Sequence, residues 1–227
     1  MRDTAIVFAR APRLGAVKRR LGREIGARAA LRFYLRTLSR LLRALAADPR
    51  FRTVLAITPD GARFRLLPSM GRRVTRIGQG SGDLGTRMAR ALARFPHRRA
   101  ALIGCDIPDA GPAELVAAFQ ALGRAEAAFG PAEDGGFWLV ALGPRRPAQP
   151  FARVRWSGPH ALADTLRRFR GRKVALLRRL RDVDTAADLA AMSRDRGRYP
   201  APARCASASR SRSGRPPTLP PPAPSPG

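Results

Sequence analysis

The sequence predicts an α/β protein, a three-layer sandwich around a mostly parallel central sheet, and three observations lead there. Short runs of Val, Ile, Leu and Ala recur along the chain. Stretches with apolar residues three and four apart stand between many of them, and strands alternating with helices form crossover units around a parallel sheet. The chain of 227 residues is 44% hydrophobic, enough for one such domain with a sizeable core.

The elements follow in order. TAIVFA (4–9) reads as a buried strand. Residues 27–47 read as a helix because Leu31, Leu35, Leu38, Leu42 and Leu45 recur at helical spacing. RTVLAIT (52–58) is a second strand, 72–78 a weaker third, and 84–95 a helix. AALIGC (100–105) is a strand and 112–122 a helix. Strands at 125–130, which Pro131 should stop, and at 136–142 come next, then a helix at 159–170, a short strand at 173–177 and a last helix at 186–192. From residue 194 the composition turns to Pro, Ser and Arg without apolar periodicity. Residues 1–193 are therefore expected to fold and 194–227 to form a disordered tail.

The chain carries 44 Lys and Arg against 16 Asp and Glu, a formal charge of +28. That charge alone would suggest a nucleic acid or an anionic surface as partner. The arginines are scattered through every segment, however, and aromatics are 6% of residues, thin for base stacking. A solvated basic surface is the better reading, and nucleic acid is not the expected partner. No run approaches the ~20 apolar residues of a membrane span. Cys105 and Cys205 imply no disulfide framework, so a reducing cytoplasm is the expected compartment.

Ligands of parallel sheets bind beyond the carboxyl ends of the strands, so four loops matter. Residues 10–20 gather Arg10, Arg13, Lys18, Arg19 and Arg20 around Gly15, a set suited to phosphates. Lys18 is one of only two lysines, with Lys173, which suggests a place for a compact ammonium. In GQGSGDLG, Gly80, Gly82 and Gly85 mimic a dinucleotide fingerprint, but Asp83 would oppose a pyrophosphate at the helix N-terminus. Asp83 serves as well for an N-cap. Asp106 ends a buried strand, where a carboxylate would bind a divalent cation or a ligand hydroxyl; Asp109 is expected to cap the next helix, and Cys105 to pack rather than react. The fourth loop, PAEDGG, sets Glu133 and Asp134 at the same edge, with Gly135 and Gly136 letting the backbone approach a ligand. With His97 and His160 the only histidines, a His-based zinc site or serine triad is not expected.

FARAPRLGAVKRRL, QGSGDLGTRM, IGCDIPD, GPAEDGGFWLVAL, RWSGPHALADTL and RDVDTAADL occur in this order over about residues 5–190. Together they resemble a bacterial family of glycosyltransferase-A-like proteins, the radical-SAM/selenodomain-associated transferases. The resemblance implies the nucleotide-diphospho-sugar transferase fold, also similar to molybdenum-cofactor and phospholactate nucleotidyltransferases. Two departures stand out: Arg19 where the family carries Thr, and Ala110–Gly111 where it carries Leu–Thr.

The combined expectation is a transferase using a nucleotide-sugar donor, Mg²⁺ or Mn²⁺, and a small-molecule acceptor. Asp106 would hold the metal, and Lys18 and Arg20 would neutralise the leaving phosphates. Gly82, Asp83 and Gly85 would line the nucleotide, with Asp134 as base or second metal contact. Nucleotidyl transfer from a nucleoside triphosphate is the close alternative, and a basic nucleic-acid-binding protein the non-enzymatic one.

Overall fold

The computed structural model describes residues 2–64 and 73–198, with side chains as far as Met192. Its elements are β1 (Asp3–Arg10), α1 (Arg19–Ile25), α2 (Ala27–Ala47), β2 (Phe51–Thr58), β3 (Val74–Gly78), α3 (Leu84–Ala93), β4 (Ala100–Gly104), α4 (Pro112–Ala121), β5 (Ala127–Pro131), β6 (Phe137–Leu142), α5 (Ala161–Arg167), β7 (Val174–Leu176) and α6 (Ala186–Arg198). One seven-stranded sheet has the order β3-β2-β1-β4-β6-β5-β7. β6 alone runs antiparallel to its neighbours β4 and β5. The other strands are parallel, so their carboxyl ends and the start of β6 share one edge.

Both faces of the sheet are covered. Ala5, Val7 and Ala9 of β1 pack with Leu38, Leu42 and Leu45 of α2 and with Leu115 and Phe119 of α4. Ile6, on the opposite side of the same strand, joins Met88 and Leu92 of α3, with Leu162 and Leu166 of α5 against the same cluster. A strand buried on both sides must be apolar at successive positions, which is why TAIVFA shows no alternation. The sandwich has three layers, as the sequence predicts. Among the described residues no helix is long and apolar enough to cross a membrane.

The details depart from expectation in places. On α2, Leu35 faces outward at 36% exposure, while Tyr34 and Leu41 take buried positions. β5 starts two residues later than expected, at Ala127, and ends at Pro131 itself, where the register shifts. The N-cap of α4 is Gly111, whose N–H is satisfied by the Glu114 carboxylate at 2.8 Å; Asp109 does not fill that place. The basic loop gives way at residue 19 to α1, a separate short helix. α6 continues to Arg198, past the boundary expected at 193; the remainder of the expected tail lies outside the described residues.

Some arginines are structural. Arg146 donates to the carbonyls of Leu92, Phe95, Pro96 and Arg98 below α3. Asp164, 6% exposed, accepts from Arg155 and Arg167. The Arg155 bonds hold its carboxyl far below the usual range. A lowered carboxyl pKa adds stability that is fully present above the unfolded value, about 4, and is lost as pH falls below it. Asp164→Asn should therefore lower the melting temperature at pH 7 by several degrees. The gap to the parent should narrow progressively as pH falls below about 4; a gap independent of pH would assign it to packing instead.

Candidate active site

β1 delivers the loop 11–18, which ends at Lys18 in a left-handed conformation (φ 46°). The Lys18 side chain is 4% exposed and its ammonium donates to Asp184 at 2.8 Å and to Asp106 at 3.1 Å. Burial works against its charge, but the two carboxylates outweigh burial and hold its pKa above the ordinary lysine value. Asp106 follows β4, as expected of an acid at a strand end.

Asp184 comes from the segment after β7, within RDVDTAADL, a stretch whose acids carry no role in the sequence analysis. Val183 anchors that segment by packing with Leu21 of α1 and Ala30 of α2. The Asp188 carboxylate accepts from the backbone N–H groups of Asp184 and Thr185 and from the Thr185 hydroxyl. The loop is thereby fixed with Asp184 facing Lys18. Oxygens of Asp106, Asp182 and Asp184 lie within 4.8 Å of one another. Burial, then the charges of Asp184 and Asp106, push the Asp182 carboxyl up to about 6. Three converging carboxylates form a hard-oxygen donor set of the kind that Mg²⁺ and Mn²⁺ take. The Lys18 ammonium already shows that a cation is accommodated between two of them.

Two cavities meet at Asp106. One, of about 490 Å³, is basic and holds Lys18, Arg19, Arg20 and Arg87. The other, of about 280 Å³, is acidic and aromatic, with Asp134 and Asp182 beside Phe137, Trp138 and Trp156. The structure thus brings Lys18, Arg20, Asp106 and Asp134 to one cleft.

Other expected site residues serve differently. Asp83 is the N-cap of α3, accepting from the Thr86 N–H at 2.8 Å. The Thr86 side chain first, and this backbone bond second, lower its pKa. Gly82 lies exposed in the turn before it. Gly85 is buried, and a Cβ there would come within 2.7 Å of Trp156, so its smallness serves helix packing rather than a ligand. Gly135 (φ +85°) is pressed on the Pro159 backbone, a close approach between two loops rather than to a ligand. Glu133 turns away to pair with Arg181 at 2.6 Å. Asp134 remains on the acidic cavity, its Oδ1 accepting from the Gly136 N–H at 2.9 Å. Cys105 is buried against the Tyr34 hydroxyl, and burial, with the Asp106 charge second, pushes its thiol up to about 12. A thiol so protonated is no nucleophile at neutral pH.

The mostly parallel seven-stranded sheet, covered by helices on both faces, is that of the nucleotide-diphospho-sugar transferase fold. The chain belongs to the family DUF2064, described as uncharacterized proteins conserved in bacteria, whose model matches residues 41–158. It is similar to a crystal structure from Desulfovibrio desulfuricans G20, provisionally named a nucleotide-diphospho-sugar transferase. Identity is 30%, coverage 86% of this chain and 88% of that one, and the TM-score 0.77. A cytidylyltransferase from Leptospira borgpetersenii shares the fold at 13% identity, 88% coverage of each chain and a TM-score of 0.55. So does Rv0371c of Mycobacterium tuberculosis H37Rv, solved with manganese, at 20% identity, coverage of 85% and 98%, and a TM-score of 0.50. No curated protein matches the sequence significantly.

Proposed function

We propose that this protein is a divalent-metal-dependent transferase that moves a sugar from a nucleotide-activated donor to a small acceptor. The observation that carries the reading is the junction at Asp106 of a basic cavity, sized for a nucleoside diphosphate, with an acidic one. Asp106, Asp182 and Asp184 would hold Mg²⁺ or Mn²⁺, which would supply positive charge against the donor phosphates. Lys18 and Arg20 bind those phosphates, aided by Arg19 and Arg87. The turn at Gly82 and Asp83 borders the nucleotide. Asp134 takes the acceptor proton.

The cytidylyltransferase likeness favours nucleotidyl transfer as the second reading. Products separate the two: a nucleoside diphosphate marks glycosyl transfer, and pyrophosphate marks nucleotidyl transfer. The first test is a thermal-shift screen of nucleoside diphosphates and nucleotide sugars, with and without Mn²⁺. A ligand at 100 times its Kd adds about 2.7 kcal/mol, roughly 5–10 °C for a domain of this size. No shift with any nucleotide, with or without metal, would overturn both readings.

The Asp182 carboxyl near 6 sets a pH dependence. Protons compete with the metal as pH falls through that value, so metal affinity measured by calorimetry should drop between about pH 7 and pH 5. In the metal-free protein the sign reverses, because a raised carboxyl pKa makes the fold lose stability as pH rises from about 4 to 6. Metal affinity independent of pH across this range would remove Asp182 from the ligand set.

A further inference from the structure

The acidic cavity defines the class of acceptor. The chain has 44 lysines and arginines, yet among the described residues no basic side chain lines this cavity. Nearby arginines are engaged elsewhere: Arg155 with Asp164, Arg181 with Glu133. The walls are apolar and aromatic, with Met88, Ile107, Phe137 and Trp156, and the charged groups are Asp106, Asp134 and Asp182. The cavity on the other side of Asp106 is predominantly basic, with four cationic side chains besides Arg10 against the two acids Asp106 and Asp184. Charge is therefore sorted between two adjoining spaces. In a protein of such excess positive charge, that sorting excludes an anion from the second space.

Resting on the transferase reading above, we propose that the acceptor is a small molecule with an apolar body and a neutral hydroxyl or cationic amine, and not a phosphate ester. A second phosphate there would meet Asp134 at short range with no cation supplied by the cavity, since a bound metal is balanced by its three aspartates and the donor diphosphate. An alcohol or ammonium places its head beside Asp134 and its body on the Trp156 and Phe137 faces, where a cation also gains from the aromatic ring. The transfer balances as follows. An alcohol oxygen bonds to the sugar anomeric carbon while its proton passes to Asp134; an ammonium first gives a proton to Asp134, and the nitrogen lone pair so freed forms that bond. The bond from that carbon to the donor phosphate oxygen breaks, and the nucleoside diphosphate leaves with the electron pair.

Both tryptophans of the chain, Trp138 and Trp156, line this cavity, so their indole N–H resonances report on it without turnover. The full chain is loaded with Mg²⁺ and the nucleoside diphosphate giving the largest thermal shift, then titrated with benzyl alcohol, benzylamine and benzyl phosphate. Benzylamine and benzyl alcohol should shift the indole signals, and benzyl phosphate should bind at least about tenfold more weakly. Asp134→Asn keeps the acceptor atom for the Gly136 N–H, so the turn survives, and the discrimination should shrink. Ser157→Lys, at an exposed position on the rim, should improve benzyl phosphate binding by a similar factor. Benzyl phosphate binding as tightly as benzylamine to the parent protein would overturn the proposal. So would indole signals unmoved by the alcohol and amine in protein that still binds nucleotide. Failure to bind any nucleotide would instead strike the transferase reading, which keeps the two failures apart.

Discussion

Asp106→Asn is expected to fold normally and to lose the metal-dependent part of nucleotide binding. Asparagine keeps the shape and one acceptor oxygen but brings no charge to the cation. Asp184 still pairs with Lys18 in the variant, at 2.8 Å in the parent, so the cleft keeps its buried ammonium partnered. The Mn²⁺-dependent increment in melting temperature with nucleotide should vanish, and turnover should fall by about 10² or more, the scale seen when a charge-stabilising group is removed. The increment seen without metal should survive, because Lys18 and the arginines remain. A well-folded variant with its metal-dependent shift intact would end the assignment of Asp106 to the metal, whatever became of the fold.

Lys18→Met should give the opposite pattern. It removes a cation that is 4% exposed from between two carboxylates. Stripping one partner from a fully buried pair costs about 3–5 kcal/mol. Here Asp106 and Asp184 are 38% and 41% exposed, so water screens them and the cost drops to roughly 1–3 kcal/mol. The metal-free variant should melt roughly 5 °C lower. Mn²⁺ should then stabilise it more than it stabilises the parent, because the ion supplies the missing positive charge without displacing an ammonium. Nucleotide affinity should still fall about tenfold, the loss of one charge-assisted phosphate contact. Combined with Asp106→Asn, the losses in nucleotide binding should be less than additive, since both groups act on one diphosphate. An unchanged metal-free melting point, or a Mn²⁺ effect smaller than the parent's, would mean that the ammonium and the metal do not share the carboxylates.

Much of this architecture was legible because burial dictates apolar pattern. β1 had to be apolar at successive positions, and α2 carries a leucine stripe whose predicted bounds, 27–47, match the helix. Leu35 shows the limit: spacing places a residue near a stripe, but packing against the sheet decides that Tyr34 and Leu41 turn inward. Asp106 and Lys18 could be picked out, one by its place after a buried strand and the other by the rarity of lysine. Asp182 and Asp184 could not. RDVDTAADL reads like any polar turn before a helix, and its importance arises from Val183 packing on α1 and α2, a contact between distant parts of the chain. The signal present was the alternation of two acids in a chain poor in them. Gly85 and Gly135 misled for a related reason, because a glycine demanded by a neighbouring side chain or loop looks the same in sequence as one demanded by a ligand.

The position of Asp184 also has a consequence for biosynthesis. Lys18 and Asp106 emerge from the ribosome well before the segment that completes the carboxylate triad, and that segment is held by α6, the last helix described. Synthesis proceeds at about 5–20 residues per second, so the nascent chain spends seconds with a lysine–aspartate pair and no trident for a cation. A cation that takes all three carboxylates would find them together only once α6 has docked. The order of translation thus puts completion of the carboxylate triad after synthesis of the lysine and the first aspartate.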